Sequence, residues 1–137
     1  MSKGTRRERE LVELYQQAGF ATYRPATVRF GENDMFGLFD VLAVSPSHDR
    51  VHAIQVKSNR ATGINGWGEH TALFRSHGWR TLYAVPVDNK GWRLIECLNG
   101  DRETLVDERD KTIGMGTGIV DYLGSISHHT TVQNPSD

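Results

Sequence analysis

The chain has a single cysteine, Cys97, in 137 residues, so no disulfide can form within it and a fold stapled by disulfides is excluded. It has no run approaching the roughly 18 apolar residues of a membrane helix, nor the apolar core of a secretory signal. The expectation is a soluble, cytoplasmic protein of a reducing compartment with no membrane partner. No internal repeat is present, and the length fits one domain whose core stands without metals or crosslinks. Charge of one sign is not in excess either: 16 basic and 17 acidic side chains leave −1. The sum hides an uneven distribution. Residues 1–30 carry six bases (Lys3, Arg6, Arg7, Arg9, Arg24, Arg29) against three acids, residues 31–100 balance at seven each, and residues 101–137 carry seven acids against three bases. A mildly basic body permits a polyanionic partner without demanding one.

What is present falls into short periodic segments. RRERELVELYQQAGF places Leu11, Val12, Leu14, Tyr15 and Ala18 at helical spacings and ends at Gly19, which predicts a helix over about residues 5–18. At roughly 100° per residue, Glu8 falls about 50° from the centre of the apolar stripe, whereas Glu10 and Glu13 lie on its solvent side. FATYRPATVRF reads as an extended stretch that Pro25 suits to an edge or a bend, and GENDMFGL reads as a loop. LFDVLAV (38–44) is an apolar strand carrying one acid, SPSHDR (45–50) a turn, and VHAIQVKS (51–58) an alternating strand. If Val44 and Val51 close this hairpin, Asp40 lies opposite Gln55, and Asp40, Gln55 and Lys57 share one face.

After a Gly-rich loop, NRATGINGWGEH, a short helix is expected around residues 68–77, followed by strands RTLYAVPV and WRLIECL joined at DNKG. Helices packed on a central mixed sheet follow from this order. Beyond Leu98 the pattern weakens: DRETLVDERD is acidic, IGMGTG is Gly-rich, and SHHTTVQNPSD reads as a frayed end. The expected organisation is an α/β domain over residues 1–100 and an acidic C-terminal extension over residues 101–137, partly ordered or flexible.

A carboxylate facing an amide oxygen about 5 Å away across a hairpin, with a lysine two residues on, suits phosphodiester hydrolysis. Asp40 and Gln55 offer the oxygen donors that a hard divalent cation such as Mg²⁺ prefers. Such a cation makes bound water easier to deprotonate and screens charge on the scissile phosphate. An ammonium at Lys57 can orient the attacking water, stabilise developing negative charge or, with a lowered pKa, act as a base. Glu8, reaching in from the first helix, could complete the shell. The same spacing also arises in an ordinary half-exposed strand whose lysine protects an edge.

The order Gly4-x-x-x-Glu8 on the first helix, then FDVLAV, AIQVKS, RTLYAVPV and GWRLIECL, over about residues 3–98, resembles the PD-(D/E)XK nuclease superfamily and within it looks most like archaeal Holliday junction resolvases. The resemblance implies a restriction-endonuclease-like fold with a central mixed β-sheet flanked by helices. It also implies a metal-dependent DNA endonuclease, using Mg²⁺ or Mn²⁺, that acts on branched DNA such as four-way junctions as an intracellular, DNA-associated homodimer. On that resemblance Asp40 is the bridging metal ligand, Gln55 the second ligand, Val56 a ligand through its backbone carbonyl, Lys57 the catalytic lysine and Glu8 the helix-borne acid. Arg24 matches a basic residue near the end of the first strand, a phosphate contact, and Arg6, Arg7 and Arg60 are further candidates for that role; such contacts position DNA without reading its sequence.

Two departures accompany the resemblance. Resolvases carry a glutamate where this chain has Gln55, which keeps a carbonyl oxygen but removes a negative charge, so metal affinity should fall. Glutamine stands there in active superfamily members too, including the DNA-cleaving subunit of some cut-and-paste transposases. The stretch VRFGENDMFGLFD is longer than its resolvase counterpart and contains Glu32 and Asp34, the latter a rival ligand to Asp40. The alternatives are a non-catalytic DNA-binding or interaction module with a degenerate site, and a nuclease subunit of a larger restriction or transposition complex. Elsewhere, His128 and His129 read as solvated, Trp67 as either a base-stacking or a packing residue, and Trp79 and Trp92 as core.

Overall fold

In the computed structural model, which describes residues 3–25, 35–57, 62–87, 91–110, 112–113 and 118–131, the first apolar stripe forms helix α1 (Lys3–Gln17). Leu11 and Tyr15 are fully buried, and Val12, Leu14 and Ala18 pack against the same core. Gly19, at φ +97°, stops the helix. Its N–H donates to the Gln16 carbonyl at 3.0 Å and the Phe20 N–H donates to the Tyr15 carbonyl at 3.1 Å, the paired bonds of a left-handed C-terminal cap. Strand β1 (Ala21–Tyr23) follows as a three-residue sheet edge, and Pro25, which has no N–H to give a ladder, lies just beyond it.

Strands β2 (Val41–Ser45) and β3 (His48–Val56) form the expected hairpin, with a tighter turn. Ser45 pairs with His48 across Pro46 and Ser47, so β3 starts at His48, and Asp40 precedes β2 instead of lying inside a strand. A bulge between Ala43 and Ser45 absorbs the difference, leaving Val41 paired with Ile54 and Leu42 with Ala53. Asp40 lies just beyond that register, and its N–H donates to the carbonyl of Ile54, the residue already paired with Val41.

The crossover to the next strand is helical. Helix α2 (Ile64–His70) begins earlier than residue 68 because Ile64 and Trp67, one turn apart, are both buried, and the helix breaks at Thr71 before α3 (Ala72–Ser76). Strand β4 (Arg80–Val87) runs parallel to β3, while β5 (Gly91–Leu98) and β6 (Asp101–Asp107) are added antiparallel, completing a mixed six-stranded sheet in the order β1-β2-β3-β4-β5-β6. Helices α1 and α4 (Ile119–Thr131) cover one face, where Leu11, Ile54, Leu94 and Leu123 meet. Helices α2 and α3 cover the other, over Phe39, Trp67, Tyr83 and Ile95.

Among the described residues beyond 100, β6 joins this same sheet and α4 packs on its core. Strand β6 pairs with β5 from Leu98–Asp101 to Arg93–Asp107, and Ile119 and Leu123 of α4 are buried beside Trp92. Glu108 joins the pieces: its carboxylate accepts from the Trp92 N–H at 2.7 Å and from the Ile119 N–H, at the start of α4, at 3.3 Å. A side chain at Gly91 or Gly118 would collide with that carboxylate. His128 and His129 fall within α4 and not on a frayed end.

At the end of the sheet away from Asp40, on the α1 side, lies a buried polar knot. Arg80 donates to both carboxylate oxygens of Glu96 at 3.0 and 2.8 Å. Next to it, fully buried His52 shares a 2.9 Å hydrogen bond between Nδ1 and the Tyr15 hydroxyl. Burial first, and then the positive charge of Arg80, holds the His52 pKa down to about 2. Between that value and the ordinary histidine pKa of about 6.5 the unfolded chain takes up a proton that the folded one does not, so stability falls as pH falls through this window. This residue should therefore remove about 2 kcal/mol of unfolding free energy between pH 7 and pH 5. Urea titrations at the two pH values should show His52→Gln losing that part of the slope; an unchanged slope would contradict the assignment.

Candidate active site

The β2–β3 ladder runs out at Asp40. Its backbone N–H donates to the Ile54 carbonyl at 2.8 Å, and its Oδ2 accepts from the Val56 N–H at 2.8 Å. The carboxylate is thus folded onto the end of β3, bonded on either side of Gln55. On the far side of β3, Gln55 is in register with Tyr83 and Val56 with Ala84 of β4, and the Lys57 N–H donates to the Ala84 carbonyl at 2.9 Å. Lys57 therefore continues the strand line, and its side chain returns to the face of Gln55: its Nζ lies 5.8 Å from the centroid of the Tyr83 ring. Backbone hydrogen bonds and the bond from the Val56 N–H to the Asp40 carboxylate bring Asp40, Gln55, Val56 and Lys57 to one strand end, with all four half-buried.

Aromatic packing fixes this end from behind. Trp67, placed among the glycines of α2, is buried and not available to stack on a base. Its indole N–H donates to the Leu38 carbonyl at 2.8 Å, its ring meets Phe39 edge-on at 5.9 Å, and it packs on Tyr83 at 4.8 Å. Met35 and Phe39 bridge across a tight turn in which Phe36 takes a left-handed φ of +58°. The segment leading into Asp40 is held on both sides.

Glu8 is half-buried on α1, and its carboxylate accepts from Arg24 at 3.0 Å, each side chain being 24% exposed. The helix acid and the arginine that follows β1 are thus brought together. Arg7 pairs with Glu10 at 2.9 Å, and Arg6 is exposed. Arg60, Glu32 and Asp34 lie outside the described residues. Sequence reasoning missed Tyr83 as part of the site; the signal available was its place at the middle of an apolar strand following the lysine strand, which a parallel crossover sets beside Gln55.

Among the described residues no three His, Cys, Asp or Glu side chains gather as a metal-binding group. The donors at the strand end are one carboxylate, one amide oxygen and a backbone carbonyl. An oxygen-only set with few charges suits a hard cation that keeps several of its waters, and it does not suit the nitrogen and sulfur preference of zinc.

A family model described as archaeal Holliday junction resolvase (Hjc) matches residues 1–130. The fold is similar to the crystal structure of Archaeoglobus fulgidus Hjc, a Holliday junction resolvase from an archaeal hyperthermophile, with a TM-score of 0.55 and 23% identity over 88% of this chain and 100% of that one. That likeness gives the restriction-endonuclease-like fold. No curated protein matches the chain.

The bond from Val56 to Asp40 separates a structural from an electrostatic use of the same side chain. Asp40→Asn keeps an oxygen acceptor for the Val56 N–H, whereas Asp40→Ala leaves that donor without its partner, a loss of about 1–3 kcal/mol. Chemical denaturation should find Asp40→Asn within about 1 kcal/mol of the native protein and Asp40→Ala clearly below it.

Proposed function

The chain belongs to the archaeal Holliday junction resolvase family, a family of metal-dependent nucleases acting on branched DNA, and on that premise we propose that it cuts four-way junctions with Asp40, Gln55, Val56 and Lys57 as its working residues. The observation that supports this reading is the bond from the Val56 N–H to the Asp40 carboxylate at the end of β3, where Gln55 and Lys57 follow on one face and Lys57 Nζ lies over the Tyr83 ring. Asp40, the Gln55 amide oxygen, the Val56 carbonyl and Glu8 from α1 would hold Mg²⁺, or Mn²⁺ in its place. When bound, that ion supplies acidification of a water and neutralisation of charge at the scissile phosphate.

The protein's own part is positioning. Phosphodiester hydrolysis with inversion requires a water oxygen to bond to phosphorus as one ester oxygen leaves with the shared electron pair, the water's proton passing to solvent and the leaving oxygen taking one up. Negative charge accumulates on the non-bridging oxygens while this happens, and the Lys57 ammonium meets that charge and orients the water. Asp40 is prevented from turning away because its carboxylate also terminates the strand ladder. Arg24, Arg6, Arg7 and Arg60 bind backbone phosphates; Arg24 is already paired with Glu8. The protein works inside the cell, where its substrate is.

Two strands of a junction must be cut, and a homodimer with an isologous interface supplies two sites in fixed relation. Support comes from apolar side chains left at the surface on the α2–α3 side: Tyr23 and Val44 on the β1–β2 edge, Phe36 and Leu73. Sedimentation should give twice the chain mass, and the double substitution Val44→Glu, Leu73→Glu should give the chain mass; a native protein sedimenting as a monomer at micromolar concentration would remove the dimer.

One observation favours a second reading, a junction-binding module without catalysis. The Glu8–Arg24 pair occupies the second acid, and Gln55 brings no charge of its own. Cleavage of a labelled four-way junction in Mg²⁺ or Mn²⁺ decides between them. The native protein should cut, Asp40→Ala and Lys57→Ala should lose at least about a hundred-fold in rate, and Gln55→Glu should lower the metal concentration needed for half-maximal cutting by roughly ten-fold. Binding without cutting at any metal concentration would select the module.

A further inference from the structure

We propose that Tyr83 is the positioning residue for Lys57, its ring face holding the ammonium at the site and Trp67 holding the ring; this rests on the reading of Lys57 as the catalytic lysine. Tyr83 is in register with Gln55 on the parallel neighbour of β3, so its side chain leaves the sheet on the same face and beside the same strand end. Lys57 Nζ lies 5.8 Å from the ring centroid, within the range at which a cation is drawn to an aromatic face.

Two contacts and burial keep that ring from moving. Its hydroxyl donates to the Thr62 carbonyl at 3.0 Å, its flank packs on Trp67 at 4.8 Å, and only 2% of the residue is exposed. Trp67 in turn donates to the Leu38 carbonyl, two residues before Asp40. The two aromatic rings therefore connect the lysine to the segment that carries the acid, and a displacement of one is felt by the other.

The chemistry favours a ring over the usual partner of a lysine. A carboxylate would neutralise the ammonium and take up its N–H groups. A π face attracts the charge while accepting no conventional hydrogen bond, so three N–H donors remain for a phosphate oxygen and a water. With the tyrosine hydroxyl directed away to Thr62, it is the ring that Lys57 meets.

Two variants and one spectrum test this. Tyr83→Phe keeps the ring and Tyr83→Leu removes it. In ¹H–¹³C spectra of the native protein the Lys57 ε-methylene protons should be shifted upfield by the ring current, as they should in Tyr83→Phe, and should return to ordinary lysine values in Tyr83→Leu. The kcat for junction cleavage should fall about ten-fold in Tyr83→Leu with KM unchanged, and Tyr83→Phe should recover the rate. An ordinary Lys57 shift in the native protein, which needs no variant to fold, overturns the contact. A lost shift in Tyr83→Leu with kcat intact overturns its positioning role. Cleavage that survives Lys57→Ala overturns the reading of Lys57 itself, and this proposal with it, whatever the spectra show.

Discussion

The hydrogen bond from the Val56 N–H to the Asp40 carboxylate closes the open end of the β2–β3 ladder, and the arrangement of the site follows from it. Where the strand partner ends, a backbone donor would otherwise be left without an acceptor, and the acid takes the place of the next carbonyl. Strand alternation then does the rest. A slip of one residue would send Gln55 and Lys57 to the α1–α4 face. Val41 and Ile54 buried on that face, with Leu42 and Ala53 turned to the other, hold the register against such a slip. A bulge lies near Ser45, and beyond Val41 the ladder is also irregular at the acid, where the Asp40 N–H donates to the carbonyl of Ile54, the residue paired with Val41.

The parallel crossover adds what the hairpin lacks. Because β4 runs alongside β3 in the same direction, its alternate residues point with Gln55 and Lys57, and the same helical connection that makes this possible delivers Trp67 under the loop before Asp40. Site and core are thus continuous on the α2–α3 face. Glu8 comes from α1, on the opposite layer, and reaches Arg24 just past the edge strand. Elements from both layers contribute the residues assigned to the site.

Legibility in the sequence followed the range of the contacts. Helix α1, the hairpin register, β4 and β5 each carry their signal within one short segment, and the grouping of Asp40, Gln55 and Lys57 needed only the period of a strand. Strand β6 was hidden by its opening residues Asp101, Arg102 and Glu103, which are exposed at an edge, with Leu105 and Val106 alone marking the core. Helix α4 carries Ile119, Tyr122, Leu123 and Ile126 at the spacing of one helical face, but Gly124 and Ser125 between them, and Ser127, Thr130 and Thr131 after them, are poor helix formers, so burial and the Glu108 bond supply what propensity does not. His52 reads as a polar residue on an alternating strand; its burial depends on Tyr15, 37 positions earlier. The pairing of Arg24 with Glu8 and the contact of Tyr83 with Lys57 are likewise tertiary, beyond the reach of local periodicity.

Gln55 is the residue at which these constraints meet most sharply. An acid there would face Asp40 from about 5 Å across the hairpin, a repulsion of about 1–3 kcal/mol at the effective dielectric of a half-buried site. With an amide, the metal-free strand end carries the single charge of Asp40, which the Val56 N–H already stabilises, and the opposite charge of Lys57 held at the Tyr83 ring. On the proposed reading the amide would also draw a cation in less strongly than an acid would, so the same side chain would set the stability of the strand end against affinity for the cation. Nothing in the ladder demands either choice: Gln55 makes its backbone pairing whatever its side chain carries, and the difference between the two chemistries rests on one oxygen exchanged for an NH₂.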